Sequence, residues 1–330
     1  MTRRDWFALA TLCLIVSGPT TGALAQPANW PTKAVTIYSD APAGSTPDVD
    51  ARFIADGLGK IWKQQVIVID RPGANGSIAA RAAADAPPDG YTLAMPALST
   101  FITQPGQIPN LPVQLPRDFI PIGFTAENPM FIAVNPKLGI NTLPELIALA
   151  KQKPGEITYA TTGVGRLTHL TGELLQMKAG IKLLLVPYNG GPARAAADVI
   201  GGRVSFIIEG YSGIAAAIKA NQLKLIAVAS AERLPDFPDT PTVAETLPGF
   251  SATGWQVMVA PKGTPQAIVD KVSRDLITVT KDPDLKKNLG RLGSYSRSMD
   301  AAQALKFVHD QQEMWAPVLK AIAAKTPQQK

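Results

Sequence analysis

Two rhythms of apolar and polar positions meet within residues 35–58. Val35, Ile37 and Tyr38 form a short β-favouring run, whereas Val49, Phe53, Ile54, Leu58 and Ile61 recur at helical spacing. Between them Pro42, Ala43, Gly44 and Ser45 carry little side-chain bulk, so the pattern predicts strand, loop and helix, with a loop that a ligand can approach closely. Thr46 is expected at the helix N-cap and Pro47 at the first helical position, with Asp48 and Asp50 complementing the positive end of the helix dipole. A loop that feeds a helix N-terminus in this way suits an anion, and is equally an ordinary strand-to-helix turn.

The alternation continues along the chain. Strands are expected at 66–69 and 91–95, with a turn at 71–76 and an alanine-rich helix at 77–84 between them. This order predicts a parallel sheet with right-handed crossovers, and it puts Ser99 and Thr100 at the carboxyl edge where open α/β sheets bind ligands. Two short β-rich runs then flank Glu127-Asn128-Pro129, and a second alternation begins. Thr142-Leu143-Pro144-Glu145 matches a capping box, and strands at 157–160, 183–186, 204–208 and 223–229 are separated by helices at 168–179, 192–200 and 212–220. Residues 161–166 are a Gly/Thr loop, 233–248 a proline-rich surface connection, and 255–260 a strand that carries the chain back. Helices capped by Thr264-Pro265 and beginning at Asp300 complete the pattern. The fold class is therefore α/β, with two lobes, each a mostly parallel sheet flanked by helices, joined by two crossover segments. Lobe 1 is assigned 26–125 and 254–330, and lobe 2 is assigned 126–253. The expected hinge lies near Thr125 to Asn128 and Gly254-Trp255, and the cleft between the lobes is where a small ligand would be enclosed.

Composition adds an address. Residues 1–25 combine Arg3 and Arg4, an apolar stretch at 6–16 and Ala23-Leu24-Ala25 before Gln26, which reads as a cleavable secretory signal; the start also resembles a twin-arginine export signal. The only cysteine, Cys13, lies inside it. A mature chain without cysteine, 46% apolar over the full 330 residues, fits a periplasmic protein that buries its own core without disulfides. The net charge of +6 is spread without basic blocks, which argues against nucleic acid and favours anionic ligands.

Catalytic patterns are absent. The chain has no G-x-S-x-G, no Walker loop and no G-x-G-x-x-G, and its two histidines, His169 and His309, fall in separate predicted helices. Neither a metal site nor a cofactor is expected, and His169 reads as a helix-face or cleft-wall residue. The rival reading is a hydrolase or isomerase working in the same α/β cleft, and it lacks an evident base and nucleophile pair. A periplasmic scaffold without a deep interlobe pocket is the third reading.

Seven stretches, in order and spacing, resemble the Bug-type substrate-binding proteins of tripartite tricarboxylate transporters (the TctC-like family). They are APAGSTPD at 41–48, VIDRPGANGSIAA at 68–80, PPDGYTL at 87–93, TYATTGVGRLTHLTGELL at 158–175, VPYNGGPARAAADVIGGRV at 186–204, PTVAET at 241–246 and APKGTP at 260–265. The resemblance implies a type II periplasmic two-lobe binding fold that closes on a small carboxylate and presents it to membrane subunits, as a monomer and without catalysis. It also implies one ligand loop per lobe: Ala43, Gly44, Ser45, Thr46 and Asp48 in the first, and Thr161, Thr162, Gly163, Arg166, Thr168 and His169 in the second. Ser99, Thr100, Tyr188, Glu209 and Tyr211 are further cleft candidates. The chain departs from the family where Asp40 and Ala41 replace a proline and an aromatic, where Arg166 replaces a serine, and where Glu209 and Tyr211 interrupt an Asp-x-hydrophobic-Pro-Ser pattern. Loss of the aromatic at 41 and gain of Arg166 lead to the expectation that Arg166 takes one carboxylate of an aromatic or dicarboxylic acid such as a phthalate isomer, while the amides of Gly44 and Ser45 take the other.

Overall fold

The computed structural model describes residues 29–103 and 114–325; the expected export signal lies outside them. The strands are β1 (Val35–Ser39), β2 (Val66–Asp70), β3 (Thr92–Met95), β4 (Phe119–Pro129), β5 (Phe131–Val134), β6 (Thr158–Thr161), β7 (Leu184–Pro187), β8 (Phe206–Glu209), β9 (Lys224–Val228) and β10 (Thr253–Pro261). The helices are α1 (Thr46–Trp62), α2 (Ser77–Ala84), α3 (Leu98–Ile102), α4 (Leu143–Gln152), α5 (Leu167–Ala179), α6 (Pro192–Ile200), α7 (Tyr211–Lys219), α8 (Val243–Thr246), α9 (Gln266–Lys281), α10 (Pro283–Gly290) and α11 (Ala301–Lys325).

They build two five-stranded sheets of matching design, β2-β1-β3-β10-β4 and β7-β6-β8-β5-β9. In the first, β1 pairs in parallel with β2 and β3, and β10 runs antiparallel to both β3 and β4. In the second, β6 pairs in parallel with β7 and β8, and β5 runs antiparallel to β8 and β9. Each mostly parallel sheet thus holds one reversed strand, and both reversed strands adjoin the crossings. β5 follows β4 after a single residue, and β10 is the returning strand.

The crossings are hydrogen-bonded neighbours. Thr253 pairs with Pro129, Gly254 with Asn128 and Trp255 with Glu127. The sequence pattern predicts two short runs broken at Glu127-Asn128-Pro129, but β4 is one strand of 11 residues, because pairing along β10 outweighs the local turn signal. Trp255 is buried at the crossing, stacked on Phe101 and edge-on to Phe307, so the returning strand is locked into the lobe 1 core.

Several local expectations are corrected. Ser45, not Thr46, is the N-cap of α1, with extended backbone and no side-chain cap, so Thr46 and Pro47 are the first and second helical residues. The buried face of α1 is Ala51, Ile54, Ala55, Leu58 and Trp62; Ile61 is exposed, and Val49 and Phe53 are half-buried. A buried Asp50 explains the rotation of that face, since its carboxylate accepts from Asn128 at 2.8 Å and from Ser294 at 3.0 Å at the crossing. Only half of the box at Thr142 forms: Thr142 caps the Glu145 amide, but Glu145 reaches back to Asn141. The complete capping box is at Thr242 and Glu245, opening the short α8 inside the segment expected to be plain connection. Helix α10, capped by Asp282, escaped the sequence pattern, and Thr264 bonds the Pro261 carbonyl instead of capping α9.

Candidate functional site

The carboxyl ends of β1 and β3 in lobe 1 face those of β6 and β8 in lobe 2, where open sheets bind ligands. Between them lies a cavity of about 50 Å³. Its apolar lining includes Leu98, Met130, Leu167 and Trp255, and its polar lining is Ser45, Ser99, Asn128, Thr162, Arg166, Thr168 and Glu209. Arg166 is the only Lys or Arg among these residues, and no histidine is among them.

Arg166 is the N-cap of α5 and crosses from lobe 2 to lobe 1. Its guanidinium donates to the Asp40 carbonyl at 3.2 Å, lies 3.4 Å from Asp40 Oδ2 and 3.5 Å from Ser99 Oγ, and its side chain is 12% exposed. These contacts are long; a well-formed bond between a guanidinium and a carboxylate is about 2.7–2.9 Å. Asp40 itself is held by other donors, the Ala97 amide at 3.1 Å and the Thr100 hydroxyl. Thr100 and Asp40 thus position Arg166 from behind. The cation is half-buried at the mouth of the cleft.

In lobe 2, Thr162 and Thr168 are joined by amide-to-hydroxyl and hydroxyl-to-hydroxyl contacts at 3.2 and 3.3 Å, which close the loop over the start of α5. Gly163 and Gly165 carry φ of +137° and +81°, a backbone that side chains rarely adopt. Gly165 also passes close to lobe 1, since a Cβ there would lie 2.6 Å from Asn75 Nδ2. His169 is a loop brace outside the cavity lining: its Nδ1 accepts from the Gly165 amide at 3.1 Å, and its Nε2 lies 3.8 Å from Glu173. Thr161 is fully buried, and its hydroxyl oxygen makes no hydrogen bond.

Glu209, at the end of β8, is 3% exposed. Burial pushes its carboxyl from the ordinary 4.5 up to about 7, against the pull of the Gly210 amide, the Thr162 hydroxyl and the Arg166 charge. Asp50 is raised from 3.8 to about 7 for the same reason, against its bonds from Asn128 and Ser294.

The first loop is arranged differently from expectation. The Gly44 amide donates to Asp48 Oδ2 at 2.8 Å, and the Ser45 amide and hydroxyl both donate to the Pro42 carbonyl, at 3.1 and 2.6 Å. The two amides expected to hold a carboxylate are therefore already engaged. Ala43 and Gly44 are exposed, and a Cβ on Gly44 would meet nothing within 4 Å. Asp48 pairs with Arg52 at 2.7 Å on the outer side. Thr46 is buried against lobe 2, where it accepts from the Ser212 hydroxyl at 2.6 Å, and a Cβ on Gly210 would collide with its Oγ1.

Two further candidates are structural. Tyr188 donates to Asp198 at 2.5 Å, and burial together with that carboxylate pushes its phenol up to about 12. Tyr211 packs on Phe131 and Phe237 in the lobe 2 core. The sequence pattern missed Asn128, Met130 and Trp255 as cavity residues, whereas Leu167 falls in the Gly165-to-His169 turn that the resemblance assigns to the second ligand loop. Asn128 and Trp255 had been assigned to the hinge, and the signal that relates them to the cleft is that same assignment: where the two crossings pair, they form its floor.

The family model for the tripartite tricarboxylate transporter family receptor matches residues 50–324. The chain belongs to this family. A UPF0065 protein of Bordetella bronchiseptica is 38% identical over 288 residues, covering 87% of this chain and 84% of that one. Protein BugT of Bordetella pertussis is 31% identical over 299 residues, covering 90% and 91%. The structure of R. palustris Rpa4515 with adipate superposes with a TM-score of 0.84 at 28% identity, covering 88% of this chain and 97% of that one. The chain is accordingly a periplasmic solute-binding protein of a family that binds small carboxylates and works with tripartite transporters; the family is one of binding proteins, not enzymes.

Proposed function

We propose that this receptor encloses one small organic carboxylate in the cleft between its lobes, acting as a monomer after removal of residues 1–25, and hands it to the membrane subunits of a tripartite tricarboxylate transporter. The observation that carries the reading is Arg166, a half-buried cation at a helix start whose contacts to Asp40 and Ser99 are all 3.2 Å or longer. A cation at a helix N-terminus is unfavourable, and an anion between it and the first amides of α5 offsets both the charge and the dipole. Thr162, Thr168 and Ser99 supply hydroxyls around the same space. The carboxylate in this reading is held chiefly by lobe 2 through Arg166, and the amides of Gly44 and Ser45 take no part. In this reading the carboxylate belongs to an aliphatic acid. The relative solved with adipate, an aliphatic dicarboxylate, supports the same choice. Closure about the paired β4 and β10 crossings brings Arg166 against Asp40 and Ser212 against Thr46.

Calorimetric titration of the mature chain with aliphatic and aromatic mono- and dicarboxylates tests this. Binding of at least one aliphatic acid, weakened by about ten- to a hundredfold in Arg166→Ser, is expected from the loss of charge-assisted bonds. Undiminished affinity in that variant removes Arg166 from the site, and failure of every acid to bind removes the carboxylate reading. Small-angle scattering is expected to show a smaller radius with the bound acid than without it.

A further inference from the structure

We propose that Glu209 selects among carboxylic acids by accepting a hydrogen bond from an O–H or N–H group of the ligand, so that the cargo is a small acid bearing a hydroxyl or amino group besides its carboxylate. The inference rests on the reading that the interlobe cavity holds the carboxylate.

Glu209 lines that cavity together with Arg166. Strands β6 and β8 are adjacent, with Ala160 opposite Ile207, so the residues just past their ends converge on the cavity. Arg166 thus reaches the cavity from the loop after β6, and Glu209 from the end of β8. The Glu209 carboxyl is anchored chiefly on one side: Oε1 accepts from the Gly210 amide at 3.0 Å, while Oε2 is buried with no donor at hydrogen-bond distance, the Thr162 hydroxyl acting on the carboxyl only from farther off. It has no room to withdraw, because Gly213 and Pro192 close the space behind it; a Cβ on Gly213 would lie 3.0 Å from Glu209 Cγ and 2.9 Å from Pro192 Cβ. The nearby Thr162 hydroxyl is shared with Thr168. A buried acceptor with an open lone pair destabilises the closed state unless a ligand supplies the donor, and a site built to receive a donor rejects the analogue that lacks it. Charge points the same way. The groups facing Glu209 are Arg166 and, beyond it, Asp40 at the end of β1, so the site offers one cation and two carboxyls. A second ligand carboxylate would meet like charge there, whereas a hydroxyl or ammonium would not.

The test is a matched set of probes on the mature chain: three- to six-carbon acids in plain, hydroxy and amino forms on the same carbon skeleton, titrated calorimetrically into the wild-type chain and Glu209→Gln. In the wild type, a hydroxy or amino member is expected to bind at least about tenfold tighter than its plain parent, the discrimination a buried hydrogen-bonding site provides. Glu209→Gln should reduce this advantage, with the larger loss for the amino form because a neutral amide no longer offsets its charge. Which form prevails separates a hydroxyl cargo from an ammonium one. Affinity for the preferred acid should rise between pH 6 and 8 in the wild type, because the ionised carboxylate is the acceptor. The rise should vanish in Glu209→Gln, which leaves Asp50 unchanged as an internal control. Equal affinity for plain and donor-bearing acids in the wild type overturns the role of Glu209 while leaving the carboxylate reading standing. Affinity that falls over the same pH range also overturns it, because Glu209 then serves the ligand as a protonated donor. Absence of binding by all members overturns both readings.

Discussion

The loops at 41–46 and 161–168 look alike as sequence, small residues followed by a helix start, yet they serve the cleft in different ways. In the first, Asp48 and the Pro42 carbonyl engage the Gly44 and Ser45 amides, so the loop is complete in itself and its tip faces solvent. In the second, a half-buried arginine with long contacts and two linked threonines face the cavity. A glycine-rich loop at a helix start binds an anion only where its donors lack internal partners, and the carboxylate placed four residues after Gly44 removes that condition.

The sharpest way to break this comparison is at the point where the lobes touch. Gly210→Val places a Cβ against Thr46 Oγ1 and Cβ across the cleft, at backbone angles of φ −65° and ψ 147° that any residue adopts. Ligand affinity is expected to fall more than about a hundredfold by calorimetry, by the overpacking of a close contact, while the unliganded melting temperature changes little. Normal affinity would mean that this contact plays no part in closure.

Next in size is the pH response of Asp50, on which α1 turns its polar face to the crossing. Its folded value near 7 lies above the ordinary 3.8, so the folded state holds the proton longer than the unfolded chain does. Stability contributed by the protonated form is then fully present below about pH 4 and is lost as pH rises towards 7, the sign opposite to that of a salt-bridged aspartate. The loss is on the order of 4 kcal/mol. Denaturant midpoints measured from pH 5 to 8 should decline in the wild type, and Asp50→Asn should flatten the Asp50 part of that slope.

Thr46→Ala follows. The sequence assigns Thr46 a helix cap, whose loss would lower stability by about 1 kcal/mol. The structure assigns it the Ser212 contact across the cleft, so the expected effect is on ligand affinity, up to about tenfold, with little change in the unliganded melt. A stability loss with unchanged affinity would favour the cap.

The smallest effect is expected at Gly44. Gly44→Ala strains a residue at φ +76° but touches nothing, so stability should drop by about 1 kcal/mol while affinity is retained. A lost ligand would return the first loop to the binding machinery.

What the sequence determined is whatever follows from local pattern. The strand order, most of the helices, the two lobes, helices α2 and α6 at their observed bounds, and the family itself are written in periodicity, glycine and proline placement and ordered motifs, whereas α3, α8 and α10 are not. Arg166 and Glu209 stood out because they depart from the usual residues of the resembling family. Tertiary structure decided what those residues meet. That Asp40 holds Arg166 from the opposite lobe, that Tyr188 and His169 brace their own lobe, and that β4 continues through Asn128-Pro129 all depend on groups 10 to 126 residues away or on contacts inside a loop. Two loops that each lead into a helix start therefore differ in function because a donor can be saturated by its own neighbours. Saturation is settled by distances that only the folded chain brings about.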